Sequence, residues 1–135
     1  DTVARDHVNP RRVILVGHDL GGRPAFAALR TNRGLFAGFA GISMSLQGTL
    51  DGHNRKPYEK IPVYYAVGTK DEMFDEVFNY SVKLFKEGGY SQLLAESPAT
   101  GHALTQDEIK HMMDFFDKEL ALSDQSATPA DVVAQ

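Results

Sequence analysis

Asp19 stands among glycines directly after an apolar run, in the sequence VILVGHDLGG of residues 13–22. A dinucleotide-binding motif, Gly-x-Gly-x-x-Gly, is excluded because Asp19 takes the place of its second glycine, where a carboxylate would repel the pyrophosphate. A phosphate-binding loop is excluded as well, because Gly22 is followed by Arg23 and Pro24 and not by lysine and a hydroxyl residue. Two interpretations are left: a nucleophile at a sharp turn, and an aspartate that caps the next helix.

The nucleophile interpretation corresponds to a nucleophile elbow, Gly-x-Nuc-x-Gly, in which a strained strand-to-helix turn pushes the middle side chain out of the sheet. Such a turn needs small neighbours, and Gly17, Gly21 and Gly22 provide them. The N-terminus of the following helix would direct backbone N–H groups toward negative charge at the site. We therefore favour Asp19 as a nucleophile over Asp19 as a cap. We expect the neighbouring His18 either to contact substrate or to pack under the turn.

Two further candidates follow later strands of the chain. Asp71 comes just after the predicted strand in VYYAVGTKDEMF, and His102 follows the last predicted strand in ESPATGHALT. The carboxyl ends of parallel strands meet at one edge of an open α/β sheet, which is where such folds bind ligands. We therefore expect Asp19, Asp71 and His102 to converge there, in the chain order nucleophile, acid, histidine. Ser43 and Ser45 also follow a strand, but they are not in an elbow and are set aside as nucleophiles.

The elements that must position these residues alternate between strand and helix. This alternation predicts an α/β fold, a parallel sheet of about four strands with helices on both faces. The expected domain covers residues 1–122, residues 123–135 are expected to form a flexible tail, and residues 47–60 a polar loop. The strands are expected at residues 12–17, 36–43, 62–68 and 90–97, and the helices at residues 21–30, 74–87 and 105–120.

Residue types add detail to three of these elements. The β-branched run at residues 12–17 is typical of a strand that is covered on both faces. Tyr64 and Tyr65 alternate along a buried strand and are expected in the core. The last helix is expected to begin at a capping box formed by Thr105 and Glu108. Its apolar face is expected to consist of Ile109, Met112, Met113, Phe116 and Leu120.

Taken together, three segments resemble the α/β-hydrolase superfamily. Its nucleophile elbow, acid loop and histidine loop are similar, in turn, to RVILVGHDLGG, IPVYYAVGTKDEMF and GHALTQDEIKHMMDFF. The resemblance covers residues 9–120, and GLFAGFAGIS and residues 61–102 are most similar to the esterase, dienelactone-hydrolase and polyester-depolymerase branch. It implies that Asp71 is the triad acid and His102 the general base. It also implies that the backbone N–H of Leu20 belongs to the oxyanion hole.

Asp19 departs from the esterase branch, in which this position is a serine. Haloalkane dehalogenases and epoxide hydrolases resemble the chain here, because they have aspartate, and a carboxylate attacks saturated carbon without first losing a proton. The resemblance implies a hydrolase of α/β-hydrolase type on an esterase-like scaffold, with a dehalogenase or epoxide hydrolase as an alternative. Two non-catalytic interpretations stay open as well. One is a catalytically disabled module or assembly subunit, and the second is an Asp19 that pairs with His102 and keeps it protonated.

The superfamily fold has more strands than the four expected here, and those four match its C-terminal half. A second oxyanion donor normally comes from a loop near the start of the domain, and it has no candidate in this chain. Loss of one donor typically costs about 10²–10³ in rate. The strand at residues 13–16 would also expose an apolar, unpaired edge. We therefore expect a second chain, or self-association, to cover that edge.

Composition and charge exclude several classes of protein. The chain has no cysteine, which excludes disulfides, thiolate nucleophiles and cysteine-based zinc sites. The net charge of −4, without a dense basic segment, argues against nucleic-acid binding. No apolar run approaches the roughly 20 residues of a membrane span. Residues 51–54 are expected to form a polar turn and not a metal site, so we expect no metal, no cofactor, and a small ester-like or alkyl substrate.

Overall fold

The computed structural model describes residues 5–32, 34–46, 60–90 and 92–126. Of the loop expected at residues 47–60, residues 47–59, which include the expected polar turn, lie outside the described residues. Two short 3₁₀ turns cover Pro10–Arg12 and Asp19–Gly21. The strands and helices of the described residues are β1 (Ile14–His18), α1 (Gly22–Thr31), β2 (Gly38–Ile42), β3 (Val63–Ala66), α2 (Phe74–Glu87), β4 (Leu93–Glu96) and α3 (Gln106–Ser126).

The four strands form one sheet in the order β1-β2-β3-β4, and every neighbouring pair is parallel. The register pairs His18 with Ile42 across β1 and β2, and Ala66 with Glu96 across β3 and β4. Ile42 and Ala66 are partners as well, so all four strands end at the same edge. The predicted fold class, a four-stranded parallel sheet in an α/β fold, is confirmed. The loops that follow the strands are thereby brought to one edge of the sheet.

Helices cover both faces of the sheet, as expected. On one face α1 and α2 enclose an aromatic core of Phe26, Phe39, Tyr65 and Phe85, whose neighbouring ring centroids are 5.4 to 6.4 Å apart. On the opposite face α3 packs over the middle of the sheet. The residues of that second core are Ala40, Ile42, Tyr64, Ala66, Met112, Phe116 and Leu120.

Tyr64 and Tyr65 lie side by side in β3 and reach opposite faces, because successive side chains of a strand alternate. Both side chains have no exposed surface, which confirms the prediction that they belong to the core. The buried Tyr65 hydroxyl donates a hydrogen bond of 2.6 Å to the Met44 carbonyl oxygen. Burial raises the pKa of Tyr65 to about 12, so this hydroxyl stays protonated and acts as a donor.

α2 has the predicted bounds, but α3 differs from its prediction in three ways. It continues to Ser126, beyond the expected helix end at residue 120 and into the segment that was expected to be a tail. Thr105 Oγ1 accepts from the Glu108 N–H at 3.2 Å, whereas the Glu108 carboxylate accepts from Thr100 Oγ1 at 2.8 Å, so the capping box is one-sided. Ile109 and Met113 are 39% and 46% exposed, so their assignment to the apolar face was wrong.

The buried row of α3 consists of Glu108, Met112, Phe116 and Leu120, which recur every four residues. A polar residue in this row is tolerated because the Glu108 carboxylate is hydrogen-bonded to Thr100. Ile109 and Met113 each follow a member of that row by one residue, and one residue turns about 100° around a helix. They therefore point away from the sheet.

β1 is an edge strand, and its expected cover on both faces is wrong. Within the described residues it pairs with β2 alone. Leu15 packs on the core beside α1, but Val16 faces the other way and is 42% exposed. α3 lies mainly over β2 and β3, and on this face of β1 it reaches Ile14 but leaves Val16 exposed. An apolar strand edge is therefore open on this side of the sheet.

Candidate active site

Asp19 lies on a sharp turn between β1 and α1, with a positive φ of 52°. Left-handed backbone is strained for a residue other than glycine, and strain of this kind clusters at functional sites. A Cβ on Gly17 would lie 2.7 Å from Gly22 Cα, and a Cβ on Gly22 would lie 2.8 Å from Met44 Sδ. Both positions require glycine, whereas a Cβ on Gly21 would meet nothing within 4 Å. The turn thus depends on two of the three predicted glycines.

Asp71 lies in the loop between β3 and α2, and its side chain is 3% exposed. Its Oδ1 accepts a hydrogen bond of 3.1 Å from the Met73 N–H, which fixes one oxygen on its own loop. Its Oδ2 accepts a hydrogen bond of 2.8 Å from His102 Nδ1. The carboxyl group is therefore held from both sides, with Oδ2 directed at the imidazole.

His102 lies in the loop between β4 and α3, and this loop is tied to the loop that carries Asp71. The Lys70 N–H donates to the Thr100 carbonyl oxygen at 2.9 Å, and the Thr69 N–H donates to the Pro98 carbonyl oxygen at 2.8 Å. The two loops pass so closely that a Cβ on Gly68 would lie 2.6 Å from the Thr100 carbonyl carbon. The two loops are therefore held at a fixed distance mainly by backbone contacts.

The structure brings together the three residues that the sequence singled out. His102 Nε2 lies 3.2 Å from Asp19 Oδ1, while its Nδ1 lies 2.8 Å from Asp71 Oδ2. The side chains of Asp19 and His102 are 45% and 46% exposed, so both are open to solvent and to a small molecule. The imidazole is thus placed between one buried and one accessible carboxylate.

The two carboxylates determine the protonation of His102. The hydrogen bond to Asp71 raises the pKa of His102 above its usual value, burial lowers it, and the charges of Asp71 and Asp19 raise it further. Nδ1 donates its proton to Asp71, so Nε2 must carry a second proton if it is to donate to the Asp19 carboxylate. With both ring nitrogens protonated, His102 is an imidazolium between two carboxylates.

Asp71 is held in its ionised form. Burial raises the pKa of the Asp71 carboxyl, but the hydrogen bonds from the Met73 N–H and from His102, together with the charge of His102, hold it below the usual value. A carboxylate that accepts several hydrogen bonds keeps its charge, because each donor stabilises the ionised form.

His18 and Leu20 flank Asp19 and lie at the same edge of the sheet. His18 Nε2 is 3.1 Å from the His102 carbonyl oxygen and must be the donor, because a carbonyl oxygen can only accept. Its predicted contact with substrate stays a prediction. Leu20 is 86% exposed. Its N–H lies in the first turn of a 3₁₀ segment that leads into α1, where backbone N–H groups have no partner within the helix.

Ser43 belongs to this cluster, although the sequence pattern had set it aside. It directly follows β2, has a positive φ of 49° and is 2% exposed. Its hydroxyl donates a hydrogen bond of 3.3 Å to the His102 carbonyl oxygen. The rule that located Asp19, Asp71 and His102, a polar residue just after a parallel strand, applies equally to Ser43. It had been considered only as a nucleophile.

A pocket of about 230 Å³ opens beside Asp19 and is lined by Asp19, Leu20, Arg23, Ser45 and Met73. A larger groove of about 510 Å³ lies between β4 and α3 and contains none of Asp19, Asp71 and His102.

Among the described residues, no group of three histidine, aspartate or glutamate side chains is arranged to hold a metal ion. None of the described helices is long and apolar enough to span a membrane.

No protein-family model and no curated protein sequence matches the chain. The chain is similar to the solved structure of SOBER1 from Arabidopsis thaliana, with 21% sequence identity and a TM-score of 0.69 over 89% of this chain and 59% of that one. It is similar to a Bacillus cereus carboxylesterase, with 18% identity and a TM-score of 0.66 over 87% of this chain and 54% of that one. It is also similar to esterase PE8, with 18% identity and a TM-score of 0.66 over 87% of this chain and 55% of that one. The chain thus spans between 54% and 59% of the length of these proteins. At these identities the likeness shows the fold alone: the chain has the same α/β fold as the part of these proteins that it spans.

Proposed function

We propose that the chain carries the reacting side chains of a hydrolase that acts at an electrophilic saturated carbon, such as that of an alkyl halide or an epoxide. Asp19 is the nucleophile, Asp71 orients the imidazole, and His102 is the base. The observation that supports this proposal is the placement of Asp19 on a left-handed turn with its Oδ1 3.2 Å from His102 Nε2. A carboxylate is a suitable nucleophile here, because attack on an ordinary ester would give an anhydride-like intermediate.

In the first step the Asp19 carboxylate attacks the carbon, and the leaving group departs with the electron pair of the broken bond. A halide leaves as the free anion, whereas an epoxide oxygen takes the Nε2 proton of His102 as its ring opens. The product is an ester between the Asp19 carboxyl and the alkyl group. This step requires no base, so protonation of His102 does not prevent it.

Alkylation changes the electrostatics at His102. The ester on Asp19 is neutral, so one of the two negative charges that raise the pKa of His102 is lost when the ester forms. The half-exposed imidazole then releases its Nε2 proton more readily, and neutral Nε2 can accept a proton from water. The general base thus becomes available in the step that needs it.

In the second step hydroxide adds to the Asp19 carbonyl carbon, and the backbone N–H of Leu20 stabilises the oxyanion. The tetrahedral intermediate then collapses, the bond to the alkyl oxygen breaks, and His102 returns its proton to the leaving alkoxide. The sum for a halide is alkyl halide plus water giving alcohol, halide and one proton. The new Asp19 carboxyl passes its proton to the now neutral His102, so Asp19 regains its carboxylate, which contains an oxygen atom from water.

The test is the covalent state of Asp19. The chain is incubated with a primary alkyl bromide or a terminal epoxide in ¹⁸O water, and its intact mass and peptide masses are measured. We expect an alkyl adduct on the Asp19 peptide and, after turnover, ¹⁸O in the Asp19 carboxylate. Asp19→Asn is the matched control and is expected to show neither. Absence of both signals from the wild-type chain would contradict the proposal.

A second candidate function is a non-catalytic module that keeps the scaffold of a hydrolase. It is favoured by the resting ion pair, because an imidazolium that stays between Asp71 and Asp19 cannot act as a base. A chain that remains unmodified by alkyl electrophiles, and that is also inert as Asp19→Ser, would support this candidate over the first.

A partner is expected at the open edge of β1, either a second chain or a second copy of this one. Val16 is 42% exposed on this edge strand. All-parallel sheets are normally covered, and an exposed apolar edge promotes association. Native mass spectrometry is expected to show an assembly larger than the 14.9 kDa monomer. Val16→Lys is expected to dissociate it, whereas Met113→Lys, at a 46% exposed position of α3, is expected to leave it intact. A monomer at all concentrations, with no co-purifying chain, would contradict this.

A further inference from the structure

Ser43 lies at the carboxyl edge of the sheet. It directly follows β2, the strand that separates β1, which leads into Asp19, from β3, which leads into Asp71. Its N–H donates to the Ala66 carbonyl oxygen at 2.8 Å, so the sheet ladder holds its backbone in place. With the backbone held and the side chain 2% exposed, the hydroxyl cannot turn to bulk water.

The backbone of Ser43 is held in a conformation that favours glycine. Its φ of 49° lies in the left-handed region, which is strained for a residue with a Cβ. Glycine would adopt this conformation without strain, but it would bring no hydroxyl. The strained geometry directs Oγ at the loop that carries His102.

The Ser43 hydroxyl has one proton, which it donates to the His102 carbonyl oxygen at 3.3 Å. The same His102 carbonyl oxygen accepts from His18 Nε2 at 3.1 Å. A carbonyl oxygen has two lone pairs, so it can accept from Ser43 and His18 together. The backbone of His102 is thus held at its carbonyl oxygen by two side chains.

We infer that Ser43 is a positioning residue, whose buried hydroxyl holds the His102 carbonyl and so fixes the imidazole against the Asp71 carboxylate. It does not touch substrate, and it acts through His102. Its importance for turnover rests on the proposed function. The hydrogen bond itself is a property of the resting chain and can be measured without any substrate.

The test is NMR of the full 135-residue chain with ¹³C-labelled aspartate and ¹⁵N-labelled histidine, for wild type, Ser43→Ala and Ser43→Gly. We expect the titration midpoint of Asp71 to rise by about one pH unit in both variants, because a loosened His102 Nδ1–Asp71 hydrogen bond stabilises the ionised carboxyl less. We also expect the His102 Nδ1 proton to exchange with water faster. Ser43→Gly is decisive, because glycine relieves the backbone strain while it also removes the hydroxyl.

Ser81→Ala is the matched control, because Ser81 is also fully buried and its Oγ accepts from the Leu46 N–H at 3.1 Å, on the α2 side of the sheet. It is expected to cost stability while leaving both NMR signals unchanged. If Ser43→Gly keeps the wild-type midpoint and exchange rate, the inference is overturned. A shift in Ser43→Ala alone would also overturn it, because backbone strain would then be the cause. An absent alkyl adduct would refute only the proposed function, since these signals require no turnover.

Discussion

Replacing His102 by glutamine is expected to trap the alkyl ester on Asp19 and to slow turnover of an alkyl halide by about 10²–10⁴-fold, the usual contribution of general-base catalysis. The first step needs only the ionised Asp19, so the ester still forms. The second step needs a base for water, and glutamine cannot accept that proton. The expected signal is an adduct whose amount approaches one per chain in the intact mass, while the wild-type chain shows little.

The control for this prediction is His111→Gln, which makes the same chemical change at an exposed histidine of α3. His111 lies 3.5 Å from Glu96 in the groove between β4 and α3, outside the cluster around Asp19. It is expected to turn over the halide like the wild-type chain. Wild-type turnover by His102→Gln would show that His102 is not the base. Slow turnover without any trapped ester would show that Asp19 is not the nucleophile.

Asp19→Ser is expected to lose the displacement reaction without becoming an efficient esterase. A neutral hydroxyl must first lose its proton, and it is a weak nucleophile toward saturated carbon. Attack on an ester is hindered for another reason. Leu20 is the one oxyanion donor that the sequence identifies, and one missing donor costs about 10²–10³ in rate. The measurement is hydrolysis of p-nitrophenyl acetate, compared with the double variant Asp19→Ser/His102→Gln.

We expect the single and double variants to hydrolyse the ester at similar, slow rates. A large gain of ester hydrolysis in Asp19→Ser that disappears in the double variant would decide against the alkyl-transfer proposal. It would mean that a working Ser-His-Asp arrangement is blocked by one aspartate, as expected of a disabled enzyme. The two outcomes are distinguishable because only a serine nucleophile depends on His102 in the acylation step.

Much of the fold could be predicted because the relevant signals are local. The α2 bounds at residues 74 and 87 follow from apolar spacing and from the glycines at 88 and 89, both of which act within one or two turns of helix. The convergence of Asp19, Asp71 and His102 followed from one topological rule, that the carboxyl ends of parallel strands share an edge. Residue type and chain order were enough to apply that rule.

The errors in predicted burial share a cause, because the burial of a side chain depends on which other elements of the fold pack against it. The type of Val16 suits a covered strand, but α3 packs over β2 and β3 and leaves β1 at the edge. Ile109 and Met113 are apolar, but Glu108 takes the inward row because Thr100, 8 residues earlier, offers it a partner. Neither relation is visible in a window of neighbouring residues.

By itself the sequence determined the order of strands and helices and the three loops that carry Asp19, Asp71 and His102, because short-range periodicity and chain order carry that information. Only the tertiary structure decided that Ser43 and His18 both donate to the His102 carbonyl oxygen and that Gly68 must lack a side chain. The two hydrogen bonds join residues that are 59 and 84 positions apart, and the requirement at Gly68 arises because two loops pass each other. Distances of a few ångströms between such residues are set by packing, which no local pattern of residue types contains.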